Sequence, residues 1–227
     1  VKRVITFDAA GTLIDHSWDP AGLAIEAAQN VGLNLPVESA REKYEAILVR
    51  SAAERAEVEL RGDPGEIRAH WQRGLSEWLI ELGEDPIRSR EIHEYSERAV
   101  FNPNGTMWRL YSDVIPALDI AKEAGVQIGV ISNWDRSLHI VLSNLGIADR
   151  FEFVIASLEF GHEKPSIEIF REAERRACAD ARQCSHIGDD FLDDVMGAQG
   201  AGWRAVHLRR EDGPIRTLTE AVVVALK

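Results

Sequence analysis

Cysteine is scarce: two in 227 residues, Cys178 and Cys184, six positions apart in a polar stretch. Two are too few for a disulfide framework, and no further Cys or His stands at ligand spacing beside them, which excludes a sequence-local zinc site. Lysine is scarce as well, five against 21 arginines, and all basic residues together number 26 against 38 acidic ones. The net charge of −12 argues against a nucleic-acid backbone or an anionic membrane as default partner. No apolar run approaches the roughly 18 residues that span a bilayer. The start, Val1-Lys2-Arg3-Val4-Ile5, is basic and then apolar, but Asp8 cuts it short, which argues against a secretory leader. A reduced, cytoplasmic setting is the expectation. Internal repeats and low-complexity tracts are absent too.

What is present is an ordinary globular mixture, 45% hydrophobic and 28% charged. At roughly 150 residues per domain the length predicts one domain with a large insertion, or two small ones. Val4-Ile5-Thr6-Phe7 reads as a buried strand that ends abruptly at Asp8. From about residue 19 to residue 100 the pattern is helical. The first helix opens at Pro20 and stops near Gly32, the second runs from Glu38 to Leu60, and Gly62-Asp63-Pro64-Gly65 breaks the run. A third helix carries Ile67, Trp71, Leu75, Trp78, Leu79 and Leu82 on one face, and a fourth covers Pro86 to Val100.

After the turn cluster Asn102-Pro103-Asn104-Gly105, helices alternate with short strands. Helices are predicted over 114–124, 137–145, 166–177 and 192–201, and strands over 126–131, 153–156, 185–187 and 204–208. Such alternation predicts a parallel sheet covered on both faces. The chain therefore reads as a discontinuous α/β core, residues 1–15 and 108–227, with an all-α insertion at 16–107. Ligands of open parallel sheets bind beyond the carboxyl ends of strands, and the insertion leaves the first strand at that edge.

Four strand ends carry the candidate chemistry. Asp8 precedes a glycine turn, Asp8-Ala9-Ala10-Gly11-Thr12, as an exposed nucleophile or metal ligand does. Ser132 follows Val130-Ile131 and precedes Asn133, offering a hydroxyl and backbone N–H groups to a phosphoryl oxygen. Lys164-Pro165 stands before a helix. His186-Ile187-Gly188-Asp189-Asp190-Phe191-Leu192-Asp193-Asp194 places four aspartates within six positions, a cluster unfavourable unless a cation or water neutralises it. Clustered carboxylate oxygens suit Mg²⁺. Each feature alone is also ordinary turn, capping or helix N-terminus chemistry.

Taken together, in this order and spacing, they resemble the haloacid dehalogenase superfamily. Its pattern is a nucleophilic Asp in Asp-x-Asp-Gly-Thr, a Ser or Thr ending the second strand, a later Lys, and Gly-Asp-x-x-x-x-Asp. Here these fall on Asp8, Ser132, Lys164, and Asp189 with Asp194. The resemblance extends over essentially the whole chain, including the place of a C1 helical cap beside a Rossmann-like core. The stretches Val130 to Arg136, Phe151-Glu152-Phe153, Lys164-Pro165 and His186 to Asp190 resemble the branch typified by the "rhythmically expressed gene 2" product.

The resemblance implies that Asp8 attacks phosphorus and forms an aspartyl-phosphate that water hydrolyses. It implies Mg²⁺ held by the Asp8 carboxylate, the backbone carbonyl of Ala10, and Asp189, with Asp194 orienting the metal site and Asp190 or Asp193 assisting. Ser132, Asn133 and Lys164 form the implied phosphate-binding set. The implied partner is a small-molecule substrate, with the chain a monomer or homodimer, no nucleic acid and no membrane. C1 caps close over the site and select substrate, with hinges expected near residues 14–16 and 103–108. Trp71 and Trp78 then read as cap-core packing or as a substrate wall, His16 and Trp18 lie within reach of the site, and His162 and His186 read as loop and strand packing.

One departure stands out: the family's second aspartate, the general acid and base of phosphomonoesterases, is Ala10. An alanine offers a carbonyl to a metal but cannot protonate a leaving alkoxide, a loss of about 10²–10⁴-fold in rate. Three readings follow: a slow or unusual phosphatase-like hydrolase, a phosphonate or 2-haloacid hydrolase, and a catalytically impaired protein that binds a phosphorylated ligand or a partner. Phosphonoacetaldehyde hydrolases share Asp-x-Ala-Gly-Thr but use a cap lysine. The one lysine between Arg3 and Lys122 is Lys43, whose setting does not match and which is expected to be an exposed helix residue. Haloacid dehalogenases have Asp-Ala-Tyr-Gly-Thr and need no Mg²⁺, which the acidic cluster at 189–194 argues against.

Overall fold

In the computed structural model, which describes residues 3–227, strand β1 (Val4–Phe7) is buried along its whole length. Val1 and Lys2 of the predicted basic start lie outside the described residues. After the Asp8 turn comes a short strand β2 (Ile14–His16), and then five helices: α1 (Pro20–Asn30), α2 (Val37–Arg50), α3 (Ala52–Arg61), α4 (Pro64–Glu81) and α5 (Ser89–Val100). The chain continues through β3 (Trp108–Leu110), α6 (Val114–Glu123), β4 (Gln127–Ser132), α7 (Ser137–Asn144), β5 (Phe153–Ala156), α8 (Ser157–Phe160) and α9 (Ile167–Ala177). It ends with β6 (Cys184–Gly188), a π-type turn over Phe191–Met196, α10 (Gly197–Gly200), β7 (Arg204–His207) and α11 (Leu218–Ala225).

The main sheet has the order β5-β4-β1-β6-β7. Every pairing in it is parallel, with Val4 opposite both Gln127 and Cys184. This is an α/β fold. The strand at the centre has helices on both faces, so its side chains alternate between two cores rather than between core and water. Ile5 and Phe7 join Val130, Leu118, Val141 and Val222 on one face, while Val4 joins Ile131, Ile155, Phe170 and Trp203 on the other. The antiparallel pair β2–β3 stands apart as a two-stranded ribbon.

Contacts divide the chain at His16/Ser17 and again at Met107/Trp108, which sets residues 17–107 off as an inserted helical unit. Its own core is built on Trp78, fully buried, whose Nε1 donates to the Ala40 carbonyl at 2.7 Å and whose ring meets Tyr44 edge-on. Trp71, one side of the same helix, is half-buried against His70 and Arg55. Lys43 donates to the Glu81 carbonyl at the end of α4. The starts of α1, α4 and α11 carry side chains that accept from free N–H groups: Asp19 before Pro20, Asp63 before Pro64, and Thr217 in a capping box with Glu220. Among the described residues no helix is long and apolar enough to cross a membrane.

Two expectations of secondary structure are corrected, and one helix was not expected. The predicted helix 38–60 is two helices, broken at Ser51, where ψ turns to 2°. No glycine or proline marks that break. The helix predicted over 192–201 begins instead as a π-type turn, followed by four α-helical residues. Helix α11, unpredicted, has a Thr-x-x-Glu capping box at Thr217 and Glu220 ahead of a Val-rich run that reads locally as strand.

Candidate active site

The carboxyl ends of β1, β4 and β6 lie side by side in the sheet, so the residues at their ends converge although they are far apart in sequence, Asp8 and Ser132 by 124 positions. Asp8 is buried at the end of β1. Ser132 Oγ, at the end of β4, donates to Asp8 Oδ1 at 3.0 Å, and Lys164 Nζ donates to the same oxygen at 2.6 Å. Lys164 is itself buried and also binds Asp194 Oδ1 at 2.5 Å. Both donors to Asp8 thus sit on Oδ1. Asp8, Asp189 and Asp194 each bring a carboxylate oxygen into one group in which these atoms lie within 4.8 Å of one another.

The remaining predicted residues are close by, with different tasks. Asn133 is exposed, and its side chain is tied to the backbone of Lys164. Its Oδ1 accepts from Lys164 N–H at 2.8 Å, and its Nδ2 donates to the Lys164 carbonyl at 2.9 Å and to Asp193 Oδ2 at 3.1 Å. Ala10 is half-buried within the turn after Asp8. Asp190 caps the π-type turn by accepting from Leu192 and Asp193 N–H, both at 2.7 Å.

Two residues join the site without having been singled out for it. Thr12 Oγ1 donates to Asp189 Oδ1 at 3.2 Å. His186, fully buried, places Nε2 at 3.1 Å from Asp194 Oδ1 and Nδ1 at 2.8 Å from Thr6 Oγ1. His186 was expected to serve strand packing. It packs edge-on against Phe170, and it also anchors Asp194. Its position two residues before Gly188-Asp189, on the same strand, was the available signal.

Two glycines are required by crowding. A Cβ at Gly188 would lie 2.1 Å from Asp194 Oδ2, and one at Gly11, where φ is +74°, would lie 2.3 Å from Asp189 Oδ2. Both glycines let a carboxylate lie flat against the backbone.

The electrostatics follow from three clustered carboxylates, two of which share one ammonium. Burial pushes the Asp8 carboxyl above the usual range; Lys164 opposes this and Asp194 adds to it. Asp194, also buried, is nonetheless held well below the usual range by its bonds to His186 and Lys164. Burial works against the Lys164 charge, but Asp8 and Asp194 outweigh it and hold the ammonium above its ordinary value. Asp189 is pushed up to about 6, by loss of hydration first and then by the negative charges of Asp8 and Asp194. Asp189 still has a face in water, so a cation can reach it from solvent. An all-oxygen donor set with surplus negative charge is the chemistry of a hard divalent cation, and the residues fit Mg²⁺.

A family model described as haloacid dehalogenase-like hydrolase matches residues 2–202. Haloacid dehalogenase-like hydrolase domain-containing protein 3 of Mus musculus is 37% identical over 95 residues, 42% of this chain and 38% of that protein. A glyceraldehyde 3-phosphate phosphatase of Methanopyrus kandleri is 36% identical over 106 residues, 44% of this chain and 43% of that protein. These matches span less than half the length of either relative. Among solved structures, a 2-haloacid dehalogenase from Pseudomonas syringae pv. Tomato DC3000 is similar with a TM-score of 0.69 and 27% identity, covering 100% of both chains.

Proposed function

The chain belongs to the haloacid dehalogenase-like hydrolase family, and on that premise we propose that it is a Mg²⁺-dependent, phosphatase-like hydrolase of a small phosphorylated metabolite. The observation that carries this reading is the convergence of Ser132 and Lys164 on one oxygen of a buried Asp8, with Asp189 and Asp194 alongside. Asp8, the Ala10 carbonyl and Asp189 would hold the metal, with Asp194 orienting it. When bound, Mg²⁺ supplies positive charge that lets a phosphoryl group approach the carboxylates and polarises its oxygens.

Asp8 Oδ2, the oxygen not taken by Ser132 and Lys164, attacks phosphorus. The bond from phosphorus to the leaving oxygen breaks, and its electron pair departs with that oxygen. Lys164 balances charge between Asp8 and the phosphoryl group, and Ser132 turns its hydroxyl to a phosphoryl oxygen. Asn133 holds Lys164 in place through both of its backbone bonds. Water then attacks the phosphorus of the aspartyl-phosphate, releasing phosphate and restoring the Asp8 carboxylate. The leaving oxygen takes its proton from water, since Ala10 has none to give, so substrates with good leaving groups turn over best.

The inserted helical unit is read as a C1-type cap, and the acidic balance of the chain favours a small molecule over nucleic acid as substrate. The test is phosphate release from p-nitrophenyl phosphate with Mg²⁺, lost in Asp8→Asn. The likeness to a 2-haloacid dehalogenase favours a second reading, in which Asp8 displaces halide from carbon. Chloride release from 2-chloropropionate without metal, and no phosphate release with it, would establish that reading instead. Turnover of neither substrate class, with Mg²⁺ still bound, would mark Ala10 as the sign of a ligand-binding protein.

A further inference from the structure

Arg210 lies three residues beyond the end of β7, the strand next to the one that delivers Asp189. Its side chain is largely enclosed, with 18% exposure. Nε donates to the Gly11 carbonyl at 3.2 Å and Nη2 to the Thr12 carbonyl at 2.7 Å. Nη1 and Nη2 form a two-pronged pair with the Asp113 carboxylate at 3.0 and 3.2 Å. The guanidinium stacks 3.7 Å from the centre of the Tyr111 ring. Asp113 in turn accepts from Leu218 N–H at 2.7 Å, and Tyr111 N–H donates to the Leu13 carbonyl. A planar fork between a carboxylate and two successive carbonyls is geometry that only arginine provides.

We propose that Arg210 is a positioning residue for the active site: it holds the Asp8–Thr12 loop against Asp189 by fixing the carbonyls of Gly11 and Thr12. These two residues are the loop's contacts with Asp189, through the flat approach at Gly11 and the Thr12 hydroxyl bond. The carbonyl of Ala10 belongs to the same turn, so its direction depends on the peptide that Arg210 grips. The Asp113 pair aims the guanidinium without turning it toward the reacting group. Arg210 lies past residue 202, where the match to the family model stops. This inference rests on reading the Asp8 turn as the site.

The experiment compares Arg210→Lys with Asp63→Ala in the full chain. Lysine keeps the charge and stem but not the fork, whereas Asp63→Ala removes the cap of α4 in the inserted helical unit. Three readouts are taken: melting temperature, hydrogen exchange of the peptide spanning residues 8–14, and Mg²⁺ affinity by calorimetry. In Arg210→Lys the loop amides, including the Leu13 and Ile14 N–H groups that bond the Ala9 carbonyl, should exchange about tenfold faster or more. Mg²⁺ should bind about 10–100-fold more weakly. In Asp63→Ala the melting temperature should fall with loop exchange and Mg²⁺ affinity unchanged. Wild-type loop exchange in Arg210→Lys, or equal loosening of the loop in Asp63→Ala, would overturn the proposal. A wild-type protein that binds no Mg²⁺ would sink the metal reading alone, because loop exchange tests Arg210 without metal.

Discussion

Lys164→Met puts the charge arrangement of the site to its sharpest test. The ammonium is buried and bonded to two carboxylates, at 2.6 Å from Asp8 and 2.5 Å from Asp194. Methionine keeps the stem and removes the charge, so two buried carboxylates lose the cation they share. Breaking a buried ion pair from one side costs about 3–5 kcal/mol. At about 2–4 °C per kcal/mol for a chain of this length, the melting temperature at neutral pH should drop by roughly 6–20 °C.

The pH dependence of that loss has a definite sign. Burial already holds Asp8 above the usual carboxylate range, and Lys164 is the main charge opposing this. Without Lys164, the folded variant takes up a proton on Asp8 while the aspartates of the unfolded chain are still ionised. The folded state then binds more protons than the unfolded one, so stability rises as pH falls, until the unfolded carboxylates protonate too near about pH 4. Thermal melts followed by circular dichroism should show a smaller deficit against wild type at about pH 5 than at about pH 7. Asp8→Asn added to Lys164→Met should recover part of the loss at neutral pH. A single variant within about 1 kcal/mol of wild type, or a deficit equal at both pH values, would refute the account.

Ala10→Asp should raise kcat for p-nitrophenyl phosphate, by up to about 10²–10⁴-fold if proton transfer limits turnover; an unchanged or lower rate counts against Ala10 as the limiting feature. Mg²⁺ at 100 times its dissociation constant should stabilise the wild type by about 2.7 kcal/mol, and Asp189→Asn should melt at the same temperature with and without it. In the inserted unit, burial depresses both His70 and His93 below the ordinary histidine value. The unfolded chain therefore takes up protons first as pH falls through about 6.5, and stability declines below that pH. His93→Gln should flatten that decline in melts recorded across the range, and an unaltered slope would exclude His93 as a source.

How much of this was legible in the sequence follows the range of the physical signal. Strand β1 was readable because four consecutive apolar or β-branched residues report burial on both faces locally. The core face of α4 was readable from its spacing, and Trp78 does centre the helical core. The division of α2 from α3 was not, because neither glycine nor proline stands at Ser51, where the backbone leaves the helix. Helix α11 was hidden by its own composition: Val222, Val223 and Val224 favour strand locally, and the capping box at Thr217 was the one signal against that. The ribbon β2–β3 is three residues per strand, too short for any period to show.

The acidic cluster shows where pattern gives way to geometry. Four aspartates in six positions read as one metal-seeking group, since composition and spacing treat Asp189, Asp190, Asp193 and Asp194 alike. The π-type turn over Phe191–Met196 separates them. Asp190 is consumed by backbone N–H groups, and Asp193 takes the amide of Asn133. Asp194 is carried inward to Lys164 and His186, so that with Asp189 and Asp8 it completes the three-carboxylate group. Gly188 is what permits this, because any Cβ there would occupy the place of the Asp194 carboxylate. The family motif spaces its final aspartate five residues after the first, and the packing against Gly188 is the physical reason that spacing works here. Arg210 had no such motif to announce it. Its partners Gly11 and Asp113 are 199 and 97 positions away, and only the closing of β7 against β6 brings it to the loop it holds.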